Sequence, residues 1–155
     1  MPELKTGQKA PSFELLRDGG GTLKLSDFGG KAVVLYFYPQ DDTETCTAEA
    51  IEFSKARSDF ERAGAVIVGV SPDSVRKHDR FKTKHKLTVD LGADEERKAI
   101  EPYGVWAEKT MFGRKYMGVV RSTFLIAPDG TIARIWRNVR LRGHVEEVLA
   151  AVKAL

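Results

Sequence analysis

Apolar residues change their spacing several times along this chain, and each change marks an element. Phe13 to Leu16 and Thr22 to Leu25 are short stretches joined by Asp18-Gly19-Gly20-Gly21, which predicts an N-terminal hairpin. Lys31 to Tyr38 (KAVVLYFY) is β-branched and aromatic without alternation, the pattern of a strand covered on both faces. The period then lengthens. Ala50, Phe53, Ala56, Phe60 and Ala63 recur at helical spacing, predicting a helix over 43–63 that Gly64 stops. Ala65 to Val70 (AVIVGV) reads as a second buried strand, completing a strand-helix-strand unit. Ser71 followed by Pro72 predicts the cap and first position of a helix reaching about Lys86. Val89 to Leu91 suggests a short strand, and Asp94 the cap of a short helix ended by Pro102 or Gly104. The stretch before Arg121 that holds Trp106, Met111, Phe112, Tyr116 and Met117 reads as irregular. Ser122 to Ala127, the turn Pro128-Asp129-Gly130, and Thr131 to Trp136 form a hairpin signal. Val145, Val148, Leu149, Val152 and Leu155 share one face of a closing helix from His144. Without repeats or linkers, the pattern predicts one α/β domain over 1–155.

Composition narrows the class. Of 155 residues, 42% are hydrophobic and 30% charged, as in ordinary globular domains and unlike disordered or fibrous chains. Lys and Arg number 25 against 22 Asp and Glu, a net charge of +3 too mild to imply a nucleic-acid partner. The longest apolar run, Ala32 to Tyr38, falls far short of the ~20 residues of a membrane helix. Met1 to Ser12 mixes Glu3, Lys5 and Lys9 with two prolines and lacks the apolar core of a secretory signal. A cytoplasmic protein is expected. Residues 76–86 hold six Lys or Arg with His78 and His85, but no interleaved aromatics, and read as a solvated helix face. The three histidines lack metal-ligand spacing, so no metal and no cofactor are expected.

One cysteine excludes an intramolecular disulfide and directs attention to Cys46. A lone cysteine is ordinarily a small buried hydrophobe. This one, however, follows the central strand, beyond whose carboxyl end α/β sheets bind ligands. With Thr43 as N-cap, Cys46 takes the third helical position, where free N–H groups and the helix dipole favour an anion. A thiol of pKa about 8.5 is only about 3% ionised at pH 7, and lowering it to 7 takes roughly 2 kcal/mol. The dipole typically supplies ~0.3–1 kcal/mol. Asp41, Asp42, Glu44 and Glu49, if near, oppose it. A cation from elsewhere is required, because a charge-assisted hydrogen bond contributes ~1.5–3 kcal/mol. Spacing alone does not select it among the arginines.

The segment Pro39-xxx-Thr43-xx-Cys46 after Tyr36-Phe37-Tyr38, followed by Glu49-Ala50, resembles the active-site segment of the peroxiredoxins, most closely their bacterioferritin-comigratory or Q branch. The resemblance continues through Phe28, Gly69-Val70-Ser71, Tyr103-Gly104-Val105-Trp106 and Arg121-Ser122-Thr123-Phe124-Leu125-Ile126. It implies a thioredoxin-like fold: a central mixed sheet flanked by helices, with an N-terminal hairpin. It also implies a thiol peroxidase acting on hydrogen peroxide and organic hydroperoxides. Cys46 would be the peroxidatic nucleophile, Thr43 a hydroxyl bonded to the peroxide, Pro39 a shield against water, and Arg121 the cation holding thiolate and peroxide.

Two departures matter. Many relatives carry a resolving cysteine five residues after the nucleophile, where this chain has Ile51; others carry it in the next helix, where 76–86 has none. The sulfenic acid on Cys46 would then be reduced by an external thiol, thioredoxin first, with glutaredoxin or glutathione as alternatives, or pair with a second Cys46. Thr45 stands where the family usually has glycine. A monomer is expected, with neither nucleic acid nor membrane as partner. Trp106, Met111, Phe112, Tyr116 and Met117 suggest either an apolar collar over Cys46 or local core. The competing readings are a non-catalytic thioredoxin-fold binding or chaperone module and a nucleic-acid binder using 76–86. Thr43-Glu44-Thr45-Cys46 lacks the second sulfur of a dithiol oxidoreductase.

Overall fold

The computed structural model describes residues 3–155; Met1 and Pro2, where the N-terminal reading begins, lie outside them. The predicted N-terminal hairpin is β1 (Glu14–Arg17) with β2 (Thr22–Lys24), and a short 3-10 turn spans Leu25–Phe28. Next come β3 (Ala32–Phe37), α1 (Glu44–Arg62), β4 (Ala65–Ser71), α2 (Val75–His85) and β5 (Asp90–Ala93). The chain closes with β6 (Trp106–Met111), β7 (Arg114–Val119), β8 (Ser122–Ile126), β9 (Ile132–Trp136) and α3 (His144–Lys153). Seven strands form a mixed sheet in the order β2-β1-β5-β4-β3-β8-β9. β3 pairs in parallel with β4 and antiparallel with β8, and all six of its residues are buried. Its unbroken apolar run follows from that position, because a central strand has no wet face.

Successive β3 side chains divide two cores. Ala32, Val34, Tyr36 and Tyr38 pack with Phe53 and Phe60 of α1, Phe81 of α2 and Val148 of α3. Val33, Leu35 and Phe37 pack on the other face with Phe13, Tyr103, Val105 and Phe124. All three helices therefore contribute to one side of the sheet. Turns and the N-terminal segment cover the other.

Three expectations are corrected. α2 begins after Ser74, whose hydroxyl accepts the Lys77 N–H at 3.2 Å, not at Ser71-Pro72. Ser71 instead ends β4, opposite Ala93, since sheet pairing and the following proline both hold it extended. Asp94 does act as a cap, accepting N–H groups of Lys98, Ala99 and Ile100 at 2.6, 2.9 and 2.9 Å, yet the residues it caps form a chain of turns. The left-handed Arg97, at φ +60°, interrupts any regular helix there. The stretch read as irregular is the β6–β7 hairpin, turning at Phe112-Gly113 with φ of +51° and +76°. Two positive φ values are what a tight hairpin turn needs. The signal is hidden in the sequence because Phe replaces the usual Asn or Asp and both hairpin faces carry charge. No helix among the described residues is long and apolar enough to cross a membrane.

Candidate active site

The parallel β3–α1–β4 crossover brings the loop 38–43 and the start of α1 to the carboxyl end of the central strands. Thr43 is the N-cap residue by backbone geometry (φ −92°, ψ 160°), and its carbonyl accepts the Thr47 N–H at 2.8 Å. Its hydroxyl does not cap the helix; it donates to the Gln40 carbonyl at 3.1 Å and is exposed. Cys46 lies in the first turn as expected, with only 1% of its surface accessible. Pro39 is half-buried, directly after β3 and Tyr38.

The required cation is present. Phe37 pairs with Ser122 across the β3–β8 ladder, which sets Arg121 beside the loop that follows β3. Its Nη2 donates to Cys46 Sγ at 3.1 Å and its Nη1 to Glu49 Oε1 at 2.5 Å. Burial on its own would lower the Arg121 pKa, but the charges of Glu49 and Cys46, with the hydrogen bonds to both, outweigh it and raise it. The guanidinium is therefore a permanent cation at the sulfur. Glu49 is fully buried, and burial raises its carboxyl to about 7 although Arg121 pulls the other way and Glu52 adds to the rise. Both partners thus shift upward, which favours the charged guanidinium but the neutral carboxyl. For Glu49 the upward direction holds, because its second oxygen has no hydrogen-bond partner.

From the sequence, Glu49 reads only as an adverse charge; its pairing with Arg121 depends on a contact between distant elements. Lys109 on β6 carries no sequence signal at all. Burial chiefly lowers its pKa and the Arg121 charge adds to this, while Cys46 acts in the opposite sense, so the hairpin passes close to the thiol. Beneath the site, Tyr36 stacks on Phe53 with ring centroids 4.7 Å apart, and its hydroxyl has no partner. A Cβ at Gly69 would fall 2.6 Å from Tyr36 Cζ, so glycine is what lets this ring lie against β4.

Other predicted groups fall elsewhere. Phe112 is 97% exposed, Met111 and Met117 about half exposed and Tyr116 also exposed, so they are not local core. Only Trp106 is partly buried, packed against the apolar face beneath Arg97. Thr45 is exposed at the second helical position. Three of the six basic residues of 76–86 are paired: Lys82 with Asp18 at 2.6 Å, Lys84 with Asp42 at 2.7 Å and Lys77 with Asp73 at 3.8 Å.

The arrangement can hold a thiolate by a charge-assisted hydrogen bond and offer donors where charge develops on a departing oxygen: Arg121 and free N–H groups of the first turn, with the Thr43 hydroxyl added once it turns from the Gln40 carbonyl.

Comparison with known proteins gives the same picture. Residues 6–135 match the model of the AhpC/TSA family. The chain is 49% identical to Peroxiredoxin Bcp of Bacillus subtilis over 150 residues, covering 97% of this chain and 96% of that protein. It is 47% identical to the putative peroxiredoxin bcp of Coxiella burnetii, covering 94% and 97%. The crystal structure of a cysteine-to-serine mutant of PrxQ from Xylella fastidiosa superposes with a TM-score of 0.93 at 37% identity, covering 99% of this chain and 98% of that one. Xanthomonas campestris bacterioferritin comigratory protein, in a study of its alkyl peroxide reduction activity, superposes with a TM-score of 0.87 at 39% identity, covering 92% and 90%.

Proposed function

Since the chain belongs to the AhpC/TSA family, and is a thiol-dependent peroxidase with the thioredoxin-like fold of the peroxiredoxins, we propose that Cys46 is the group that reduces the peroxide. The single observation that carries this assignment is the Arg121 guanidinium 3.1 Å from a sulfur in the first turn of a helix. Peroxide is the oxidant and a thiol the reductant.

The Cys46 thiolate attacks one oxygen of ROOH. An S–O bond forms, the O–O bond breaks, and the departing RO⁻ takes a proton to leave as ROH. Cys46 becomes a sulfenic acid. Arg121 holds the thiolate and, with Thr43, binds the peroxide so that sulfur and O–O bond align, while Pro39 limits water at the reacting atoms. An external thiol then attacks the sulfenic sulfur, releasing water and leaving a mixed disulfide. A second thiolate displaces Cys46 and restores it. The absence of another cysteine in the sequence supports this one-cysteine cycle.

Hydrogen peroxide and organic hydroperoxides are the proposed substrates, the latter supported by the alkyl peroxide activity named for the Xanthomonas relative. Thioredoxin is the first reductant to test, beside glutaredoxin and glutathione, and the cytoplasm is a compartment that keeps such thiols reduced. A monomer is proposed; sedimentation before and after peroxide tests this and a disulfide between two copies of Cys46.

Cys46→Ser should abolish peroxide consumption, and the parent chain should gain one oxygen at Cys46 after stoichiometric peroxide, read by intact mass. Turnover that survived the substitution would overturn the assignment.

A further inference from the structure

The loop that delivers Thr43 to the reactive sulfur is gripped from behind by α2. Asp41 is buried at the middle of this loop. Its Oδ1 accepts the Tyr38 hydroxyl at 2.6 Å, and its Oδ2 lies 2.6 Å from Nδ1 of His78, which has no accessible surface. The Asp41 N–H donates to Asp73 at 2.7 Å, and Asp73 is braced by the Ser71 hydroxyl at 2.7 Å. The other ring nitrogen of His78, Nε2, lies 3.0 Å from the carbonyl of Gly92 on β5. A carbonyl can only accept, and the Asp41 oxygen facing the ring is left as an acceptor. A neutral imidazole donates through one nitrogen only and would set a lone pair against one of these oxygens. With Asp41 as a carboxylate, both distances fit a doubly donating imidazolium.

The next residue shows why the grip matters. Asp42 has φ +62°, in the left-handed region where residues with a Cβ are uncommon. Its carboxylate is held from outside by Lys84 Nζ at 2.7 Å and His85 Nε2 at 2.8 Å, both also on α2. Those outer contacts are exposed and screened, whereas the His78 contact is dry. Such a backbone persists only where its surroundings over-determine it. Thr43 and the first N–H groups of α1 come immediately after it.

Resting on the reading of Cys46 as the peroxide-reducing thiol, we propose that His78 is a positioning residue for that reaction: as an imidazolium it clamps Asp41 and thereby fixes the loop Pro39–Thr43 in its peroxide-receiving shape. It touches neither sulfur nor substrate in this role. The groups facing the ring are Asp41 from the loop, Asp73 from the β4–α2 connection, the Gly92 carbonyl from β5 and Tyr38, whose ring centroid lies 6.4 Å away. Burial alone would lower the His78 pKa, but the hydrogen bond and charge of Asp41, the Gly92 carbonyl and Asp73 together raise it. The clamp is therefore fully present below the ordinary imidazole value of 6.5 and is lost as pH rises through the raised value.

The test uses the full chain with His78→Gln and His78→Phe, so that one variant remains if the other does not fold. Oxidation by hydrogen peroxide is timed by competition with a haem peroxidase, and Cys46 alkylation by iodoacetamide is timed in parallel. Peroxide oxidation should slow by about tenfold or more, as misplacement of a reacting group does, while alkylation changes by less than about threefold. Peroxide rates within about twofold of the parent in both variants would overturn the proposal, as would equal losses toward both reagents. In the parent chain, nitrogen NMR of labelled histidine should show both His78 ring nitrogens protonated at pH 6.5; a neutral ring there also overturns it. A parent chain that consumes no peroxide would instead refute the role of Cys46, a failure the NMR result does not share.

Discussion

The two faces of the central sheet are built from alternate residues of the same strand, yet they differ in kind. On one, Val33, Leu35 and Phe37 meet Phe124, Val105 and Tyr103, whose hydroxyl donates to the Pro11 carbonyl at 2.6 Å. On the other, Tyr36 and Tyr38 lie in the cluster that holds Cys46, close to the Glu49–Arg121 pair, the His78–Asp41 pair and His144, bonded to Thr123 at 2.8 Å. Tyr36 and Glu49 each retain an unpaired polar atom there. Burying polar groups is costly even when they are paired. The apolar face can therefore be understood as supplying stability that the reactive face consumes.

The contrast can be broken most severely at Arg121. Arg121→Ala should slow both peroxide oxidation and alkylation of Cys46 at pH 7 by about 100-fold, in the range found when a preorganised donor is removed. Rates within about threefold of the parent, by competition and alkylation kinetics, would mean the cation is not what activates the sulfur. On the opposite face, Phe124→Ala should cost about 3–5 kcal/mol of stability and leave the oxidation rate of the folded protein within about twofold. Denaturant unfolding beside stopped-flow oxidation separates the two, and a large rate loss without destabilisation would erase the division between faces.

The smallest effect concerns pH. Glu49 is raised from 4.5 to about 7, so the folded chain holds a proton there that the unfolded chain releases, and stability falls as pH rises across that interval. His144 is lowered from 6.5 to about 4, chiefly by burial, and its contribution is lost as pH falls through that interval. The two slopes oppose each other between pH 4.5 and 6.5. Glu49→Gln should remove the Glu49 slope that opposes that of His144, so its Tm should fall more steeply on acidification than the parent's, by several degrees for roughly 2–3 kcal/mol. Parallel Tm curves from calorimetry would remove the Glu49 assignment.

Much of this division is legible in the sequence, and unevenly so. β3, the β3–α1–β4 unit and the β8–β9 hairpin announce themselves because burial on both faces, helical spacing and Pro-Asp-Gly turn chemistry are local signals. Cys46 in the first turn of α1 comes from the same local pattern, whereas Arg121 is identified only through a family motif. β6–β7 escapes sequence reading because its strands face water on much of their surface and its turn uses Phe112. The Ser71-Pro72 signal fails because β5 pairs with β4 through Ser71, a tertiary preference that no cap propensity encodes. His78 looks like one more member of a basic stripe. Its burial depends on Asp41 and Gly92, separated from it by 37 and 14 residues.

Gly69 sets the spacing between β4 and the aromatic ring behind the site. It faces Tyr36 across the β3–β4 pair, and the Tyr36 ring occupies the place a side chain at 69 would take. That ring in turn backs onto Phe53, seven residues along α1 from the reactive sulfur. Gly69 thus works as a gauge block of zero thickness between the strand and the helix. For anyone redesigning this scaffold, the depth of the thiol is adjusted from β4, and the first methyl group added there already exceeds the clearance.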